Sequence, residues 1–167
     1  MRLLPLLSET NIYVGLSGES KENVLARLCA ITRGQGGCGC DAKALLASIL
    51  EREKVKSTGV GGGAAIPHAR CAAIAGVAVA LGIARNGIEF AASDGKPVKI
   101  ILLVASPEGK ETEYLRLISH AAALLKDPGF VEKLAGVTSS AEAISLVEDR
   151  ESKMPPHPVS TGAGPLK

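Results

Sequence analysis

Apolar residues recur along this chain with two different periods. Val24, Leu25, Leu28 and Ile31 stand three or four apart, which predicts an amphipathic helix from an N-cap at Ser20 through Thr32. Leu45, Leu46, Ile49 and Leu50 repeat that spacing behind Asp41, another good N-cap, and their helix ends in Glu51-Arg52-Glu53-Lys54. A period of two appears instead from Gly76 to Arg85, where Val77, Val79, Leu81 and Ile83 alternate with Ala and Gly. This predicts a strand whose opposite face is crowded. Residues 98–104 form a nearly continuous apolar run, as in a central strand buried on both faces.

Shorter signals fill in the rest. Ile12 and Val14 predict a short strand over Asn11–Gly15, and Asp94-Gly95 marks a turn. A long helix is expected from about Thr112 to Lys126, with Leu115, Ile118, Ala122 and Leu125 as its apolar stripe. Pro128 opens a short helix toward Leu134, and Ser139 or Ser140 caps a last one through about Glu148. From Glu151 onward Pro155, Pro156, Pro158 and Pro165 crowd a polar segment without an apolar face. The expected organisation is one domain over residues 1–150 and a disordered Pro-rich tail over 151–167. Strands interspersed with helices give an α/β class, a central mixed β-sheet flanked by helices on both faces.

Composition narrows the function. The 167 residues are 46% hydrophobic, enough for a core. With 19 basic and 17 acidic side chains the net charge is +2, which indicates neither nucleic acid nor an anionic membrane. Aromatics are 2%, too few for base-stacking platforms. The uncharged runs are too short to span a bilayer, and the N-terminus lacks a signal-peptide pattern, so a cytoplasmic protein without membrane insertion is expected. Cys29, Cys38, Cys40 and Cys71 are then expected as free thiols. Cys38 and Cys40 sit in a second glycine cluster, and adding Cys71 and His68 as ligands matches none of the usual zinc spacings. No metal and no cofactor is expected.

The chemistry concentrates in Ser57-Thr58-Gly59-Val60-Gly61-Gly62-Gly63-Ala64-Ala65-Ile66-Pro67-His68-Ala69-Arg70. Glycine loses the most entropy on folding, so such a run suits backbone that must approach something closely. Its free N–H groups can also form an anion-binding concavity. Pro67 stiffens the chain just before a histidine, and a guanidinium follows at Arg70. Imidazole, N–H groups and guanidinium together suggest phosphoryl handling. A Walker A loop fails, because Ala64-Ala65 stands where Lys-Ser/Thr is needed. Gly59, Gly61 and Ala64 fit a dinucleotide fingerprint, but the preceding Glu51–Lys56 segment is too charged for a buried strand. A lone histidine is more often structural than chemical, and Arg52 alone reads as a helix-surface ion pair. Their nearness to the glycine run favours a nucleophilic imidazole and makes Arg52 a candidate bidentate clamp, although for Arg52 the residues alone favour the ion pair with Glu51 or Glu53.

Taken together, Glu51-Arg52-Glu53-Lys54, Ser57-Thr58-Gly59-Val60-Gly61 and Ala65-Ile66-Pro67-His68 resemble the mannitol/fructose-type IIA domains of the bacterial phosphoenolpyruvate-dependent phosphotransferase system. The likeness covers roughly residues 3–149 and extends to Asp94-Gly95-Lys96-Pro97-Val98. Standing without a fused transporter or carrier, the domain looks most like the nitrogen-regulatory branch. The resemblance implies the mannitol-type IIA fold and a phosphotransferase role. His68 would accept phosphoryl from an HPr-like phosphocarrier and Arg52 would stabilise its oxygens. Ser57, Thr58, Gly59 and Gly61 would border the site. Onward partners would be a IIB domain or a regulated kinase or transporter. The family's second active-site histidine corresponds to Tyr114, and His120 does not replace it. A tyrosine can donate a hydrogen bond but no imidazolium charge, which suits a regulatory phosphocarrier. A sugar-specific IIA serving a transporter IIB domain, and a non-catalytic IIA-like binding module, are the alternatives.

Overall fold

The computed structural model describes residues 1–32 and 41–156. The expected linker at Gly34–Gly39, Cys38, Cys40 and the tail from His157 onward lie outside the described residues. Two short 3₁₀ turns, Leu4–Leu6 and Glu9–Asn11, lead into β1 (Ile12–Val14). Helices α1 (Lys21–Ile31) and α2 (Ala42–Val55) follow, then three very short strands, β2 (Gly59–Gly61), β3 (Ala64–Ala65) and β4 (His68–Arg70). The long strands β5 (Ala78–Ile88) and β6 (Val98–Ser106) precede α3 (Glu111–Leu125), α4 (Pro128–Ala135) and α5 (Ser140–Lys153).

The sheet is mixed, in the order β1-β5-β6-β3-β2, with β4 also paired to β6. The pairs β1·β5, β3·β6 and β4·β6 are parallel, whereas β5·β6 and β2·β3 are antiparallel. Alternation along the two long strands sorts the core. Val79, Leu81, Ile83, Ile100, Leu102 and Val104 face α3, α4 and α5. Ala80, Ala84, Ile101, Leu103 and Ala105 face α1 and α2. The second face is built from smaller residues. A Cβ on Gly82 would come within 2.8 Å of the Leu16 side chain and 3.1 Å of Leu28, so the helical layer closes directly over the backbone there. The crowded strand face expected from the sequence is this one.

Caps form where the side chains predict them. Ser20, Asp41, Asp127 and Ser139 each accept a backbone N–H at the start of a helix. Two expectations need correction. The buried stripe of α3 is Tyr114, Leu117, His120, Ala121, Leu124 and Leu125, while Leu115 is 60% exposed and Ala122 is exposed. The expected stripe is thus displaced by a residue over most of its length, because Tyr114 and His120 count as polar in a pattern yet pack inward. The second correction is the boundary at 150. Helix α5 continues to Lys153 and ends only where Met154 turns extended before Pro155, a residue type that disfavours helical geometry in its predecessor. Glu151 is 1% exposed. Its carboxylate accepts the N–H groups of Leu3 (2.7 Å) and Leu4 (3.2 Å) and lies 2.6 Å from Nε2 of His120. Residue 151 therefore belongs to the domain.

Candidate functional site

Strands β3 and β4 keep one register along β6, with Ala64 opposite Ile100 and His68 opposite Val104. Pro67 between them has no N–H for the ladder, which splits what would otherwise be one strand. Its carbonyl still accepts from Val104 N at 2.9 Å, so His68 is delivered at a fixed height on the sheet. Alternation puts the His68 side chain on the same face as Ala64 and Ile66, toward α3.

The His68 ring is half-buried. Its Nδ1 lies 2.7 Å from the Ile66 carbonyl oxygen. A carbonyl only accepts, so Nδ1 carries the proton and Nε2 is left with the free lone pair. Burial holds the imidazole pKa below its ordinary 6.5, and the Arg52 guanidinium pushes the same way, against the Ile66 carbonyl and the Glu53 carboxylate. The ring is consequently neutral near pH 7 and nucleophilic at Nε2.

A cavity of about 460 Å³ opens at this ring. Ser48 and Arg52 reach it from α2, His68, Ala69 and Arg70 from β4, Glu108 from the loop before α3, and Tyr114 from the first turn of α3. Arg52 donates one Nη1 bond to the Lys56 carbonyl at 3.0 Å, which anchors its guanidinium against the C-terminus of α2. Arg70 pairs with Glu111 at 3.1 Å. The Tyr114 ring meets His68 edge-on, with centroids 5.9 Å apart and planes inclined by 61°. Burial raises the Tyr114 pKa above 10, opposed by Arg52 and Arg70, so the phenol is neutral. A wider cleft of about 660 Å³ between α4 and α5 is lined by side chains such as Val137, Leu146 and Glu142. The smaller cavity brings together the imidazole and both arginines, and it is the candidate site.

Of the residues singled out from the sequence, His68, Arg52, Arg70 and Tyr114 come together; Ser57, Thr58, Gly59 and Gly61 do not line the cavity. Ser57 donates to the Phe90 carbonyl at 2.8 Å. Thr58 is buried and gives both its N–H and its hydroxyl to Glu53. Glu53 also meets Lys21 at 2.6 Å, so this network ties the end of α2, next to Arg52, to α1 and to β2. Gly59 is required by close approach, since a Cβ there would lie 2.7 Å from Ala92. Gly61, Gly62 and Gly63 have φ of 87°, 65° and 80°, a left-handed turn that joins β2 to β3. The Gly62 N–H is taken by the Asp94 carboxylate at 3.1 Å. The glycine run is therefore a hairpin and not an N–H cradle over His68. The guanidinium noted at Arg70 does reach the cavity, because two residues past His68 on a strand is the same face.

Known proteins similar to this chain point to one family. The family described as "Phosphoenolpyruvate-dependent sugar phosphotransferase system, EIIA 2" matches residues 5–150. A nitrogen regulatory protein of Bradyrhizobium diazoefficiens is 30% identical over 147 residues, covering 88% of this chain and 94% of that protein. The fructose-specific EIIABC component of Bacillus subtilis is 28% identical over 151 residues, covering 90% of this chain. The chain spans only 24% of that relative's length. Among solved structures, the nitrogen regulatory protein IIA-Ntr of Neisseria meningitidis superposes with a TM-score of 0.79 at 27% identity, over 87% of this chain and 98% of that one. A match over residues 5–150, a shared fold and a neutral histidine beside two guanidiniums lead to one conclusion: this chain belongs to the EIIA 2 family of the phosphoenolpyruvate-dependent sugar phosphotransferase system.

Proposed function

We propose that this protein is a cytoplasmic phosphocarrier of the nitrogen-regulatory kind, which accepts a phosphoryl group on Nε2 of His68 from the phosphohistidine of an HPr-like carrier. The observation that carries the reading is the Nδ1 bond to the Ile66 carbonyl, which fixes the tautomer and leaves Nε2 as the nucleophile. In the transfer, the Nε2 lone pair forms the new N–P bond while the donor's N–P bond breaks and its electron pair returns to the donor imidazole. The Nδ1 proton stays in place, so the neutral ring gains a positive charge beside the phosphoryl dianion. Such a transfer needs positioning and charge neutralisation more than covalent help. Arg52, anchored at Lys56, supplies both to the equatorial oxygens.

A regulatory role is supported by Tyr114. Its neutral phenol can hold a phosphoryl oxygen through one O–H donor but offers no cation to offset charge as the group departs. Phosphoryl transfer to a IIB domain is therefore expected to be slow, and the phosphorylated form long-lived enough to be read by a partner protein. The test is incubation with phosphoenolpyruvate, Enzyme I and an HPr-type carrier, followed by addition of a IIB acceptor. Acid-labile phosphate that maps to His68 and persists with the acceptor is the expected result. Rapid discharge would make the protein a sugar-route IIA, and no incorporation would make it a binding module.

A further inference from the structure

We propose that Arg70 is a second phosphoryl-contacting residue, exchanged between Glu111 and the phosphoryl group on His68, so that phosphorylation is transmitted to the first turn of α3. The proposal rests on His68 being the phosphorylated residue. His68 and Arg70 stand two apart on β4, in register with Val104 and Ser106 of the central strand. Two residues apart on a strand means one face and a separation of roughly 6.6 Å, which an arginine side chain spans. Both residues line the same cavity. The Arg70 guanidinium is nevertheless turned to Glu111, at 3.1 Å. Both partners of that pair are 51% exposed, and ion pairs so exposed hold weakly.

A phosphoryl group on Nε2 would bring a charge of about −1.5 to −2 and three acceptor oxygens to the mouth of the cavity. A planar guanidinium fork matches that geometry better than it matches one carboxylate oxygen. Glu111 can release Arg70 without being stranded. Its carboxylate also accepts the Gly109 N–H at 3.1 Å, and backbone N–H groups at the start of α3 stabilise its charge more than Arg70 does. Glu108 is the other carboxylate lining the cavity, and the incoming dianion repels it in the same outward direction. The loop before α3 and the helix's first turn would thus present two uncompensated carboxylates in the phosphorylated state and one in the free state. A partner that contacts this end of α3 could distinguish the two states by that charge.

The experiment uses the full chain, phosphorylated either by an HPr-type carrier or chemically with phosphoramidate, and reads both phosphohistidine lifetime and the backbone amide of Gly109 by NMR. In the wild type the Gly109 amide is expected to shift on phosphorylation. In Arg70→Ala the shift should vanish and phosphohistidine should decay roughly tenfold faster, the loss of one hydrogen bond to a charged group. Arg70→Lys should fall between, and Glu111→Gln should lengthen the lifetime by freeing Arg70. If Arg70→Ala keeps the wild-type lifetime and the wild-type Gly109 shift, the exchange does not occur, although His68 remains the phosphorylated residue. Absence of phosphate on His68 with both donors overturns the exchange and the His68 assignment together.

Discussion

Two histidines of this fold sit in opposite circumstances. His68 lies on a strand near the sheet's edge, half-buried, with Nδ1 fixed by a backbone carbonyl and Nε2 open to a cavity that holds two guanidiniums. His120 lies within α3, its side chain 5% exposed, with Nε2 2.6 Å from the Glu151 carboxylate. One helix serves both. Tyr114 at its start meets His68, and His120, on the same buried stripe, meets α5 and through Glu151 the N–H groups of Leu3 and Leu4. In the proposed function the same side chain does chemistry where a carbonyl orients it and leaves one nitrogen free, and holds elements together where a carboxylate takes it. The nature of the partner separates the roles, more than depth of burial does.

Exchanging the two residues in experiment should separate their roles completely. His68→Ala is expected to abolish phosphoryl incorporation and leave the fold intact, because the ring packs at a cavity mouth. His120→Ala is expected to keep incorporation in the folded fraction while destabilising the protein, since it removes the His120 partner of the buried Glu151 carboxylate. Removing one partner of such a pair costs about 3–5 kcal/mol, which lowers the melting temperature by roughly 10 °C in a domain of this size. Truncation after Arg150 should destabilise similarly, because it removes the carboxylate that fastens the N-terminal segment. Thermal melts combined with phosphate mapping check all three. Phosphate on His120, or an unchanged melting temperature for both destabilised variants, would break the contrast.

The contrast also shows what the sequence could and could not say. Helices α1, α2, α4 and α5 and both long strands are legible, because their apolar residues keep one period and their caps are side chains with short-range partners. The strands β2, β3 and β4 are not, since two or three residues each are too few for an alternation to read. Glycines 59–63 look like an anion loop because the sequence shows permissive backbone without showing that Asp94 takes the Gly62 N–H. Glu151 looks like the start of a tail because its partners, Leu3, Leu4 and His120, are 31 or more residues away. Motif resemblance brought out His68, Arg52 and the departure at Tyr114, and the fold brings these three to one cavity.

A smaller effect is expected at Arg52. Lysine there keeps the charge but loses the planar fork and the geometry that the Lys56 carbonyl anchors. Removal of one preorganised donor at a site of developing charge costs roughly 10²-fold in rate. Single-turnover phosphoryl acceptance by Arg52→Lys should slow by about that factor, with no change in melting temperature. A wild-type rate would reduce Arg52 to a helix cap.

The smallest expected effect is the most specific, and it concerns the charge state of His68. Burial and Arg52 hold its pKa below 6.5, against the Ile66 carbonyl and Glu53. The folded state therefore binds fewer protons than the unfolded chain just below pH 6.5, and the stability contributed by the neutral ring is full above that pH and lost as pH falls through the lowered pKa. The nucleophile follows the same titration, so phosphoryl acceptance should be flat from about pH 6.5 upward, the ordinary imidazole value, and decline only on the acidic side of it. Replacing Arg52 by Gln removes a cation that opposes protonation, and the His68 titration, followed by NMR of its ring protons, should move up. Replacing Glu53 by Gln removes an anion that favours protonation and should move it down. No movement of His68 with the substitutions would mean that Arg52 does not act on the imidazole and that the cavity's electrostatics are set elsewhere.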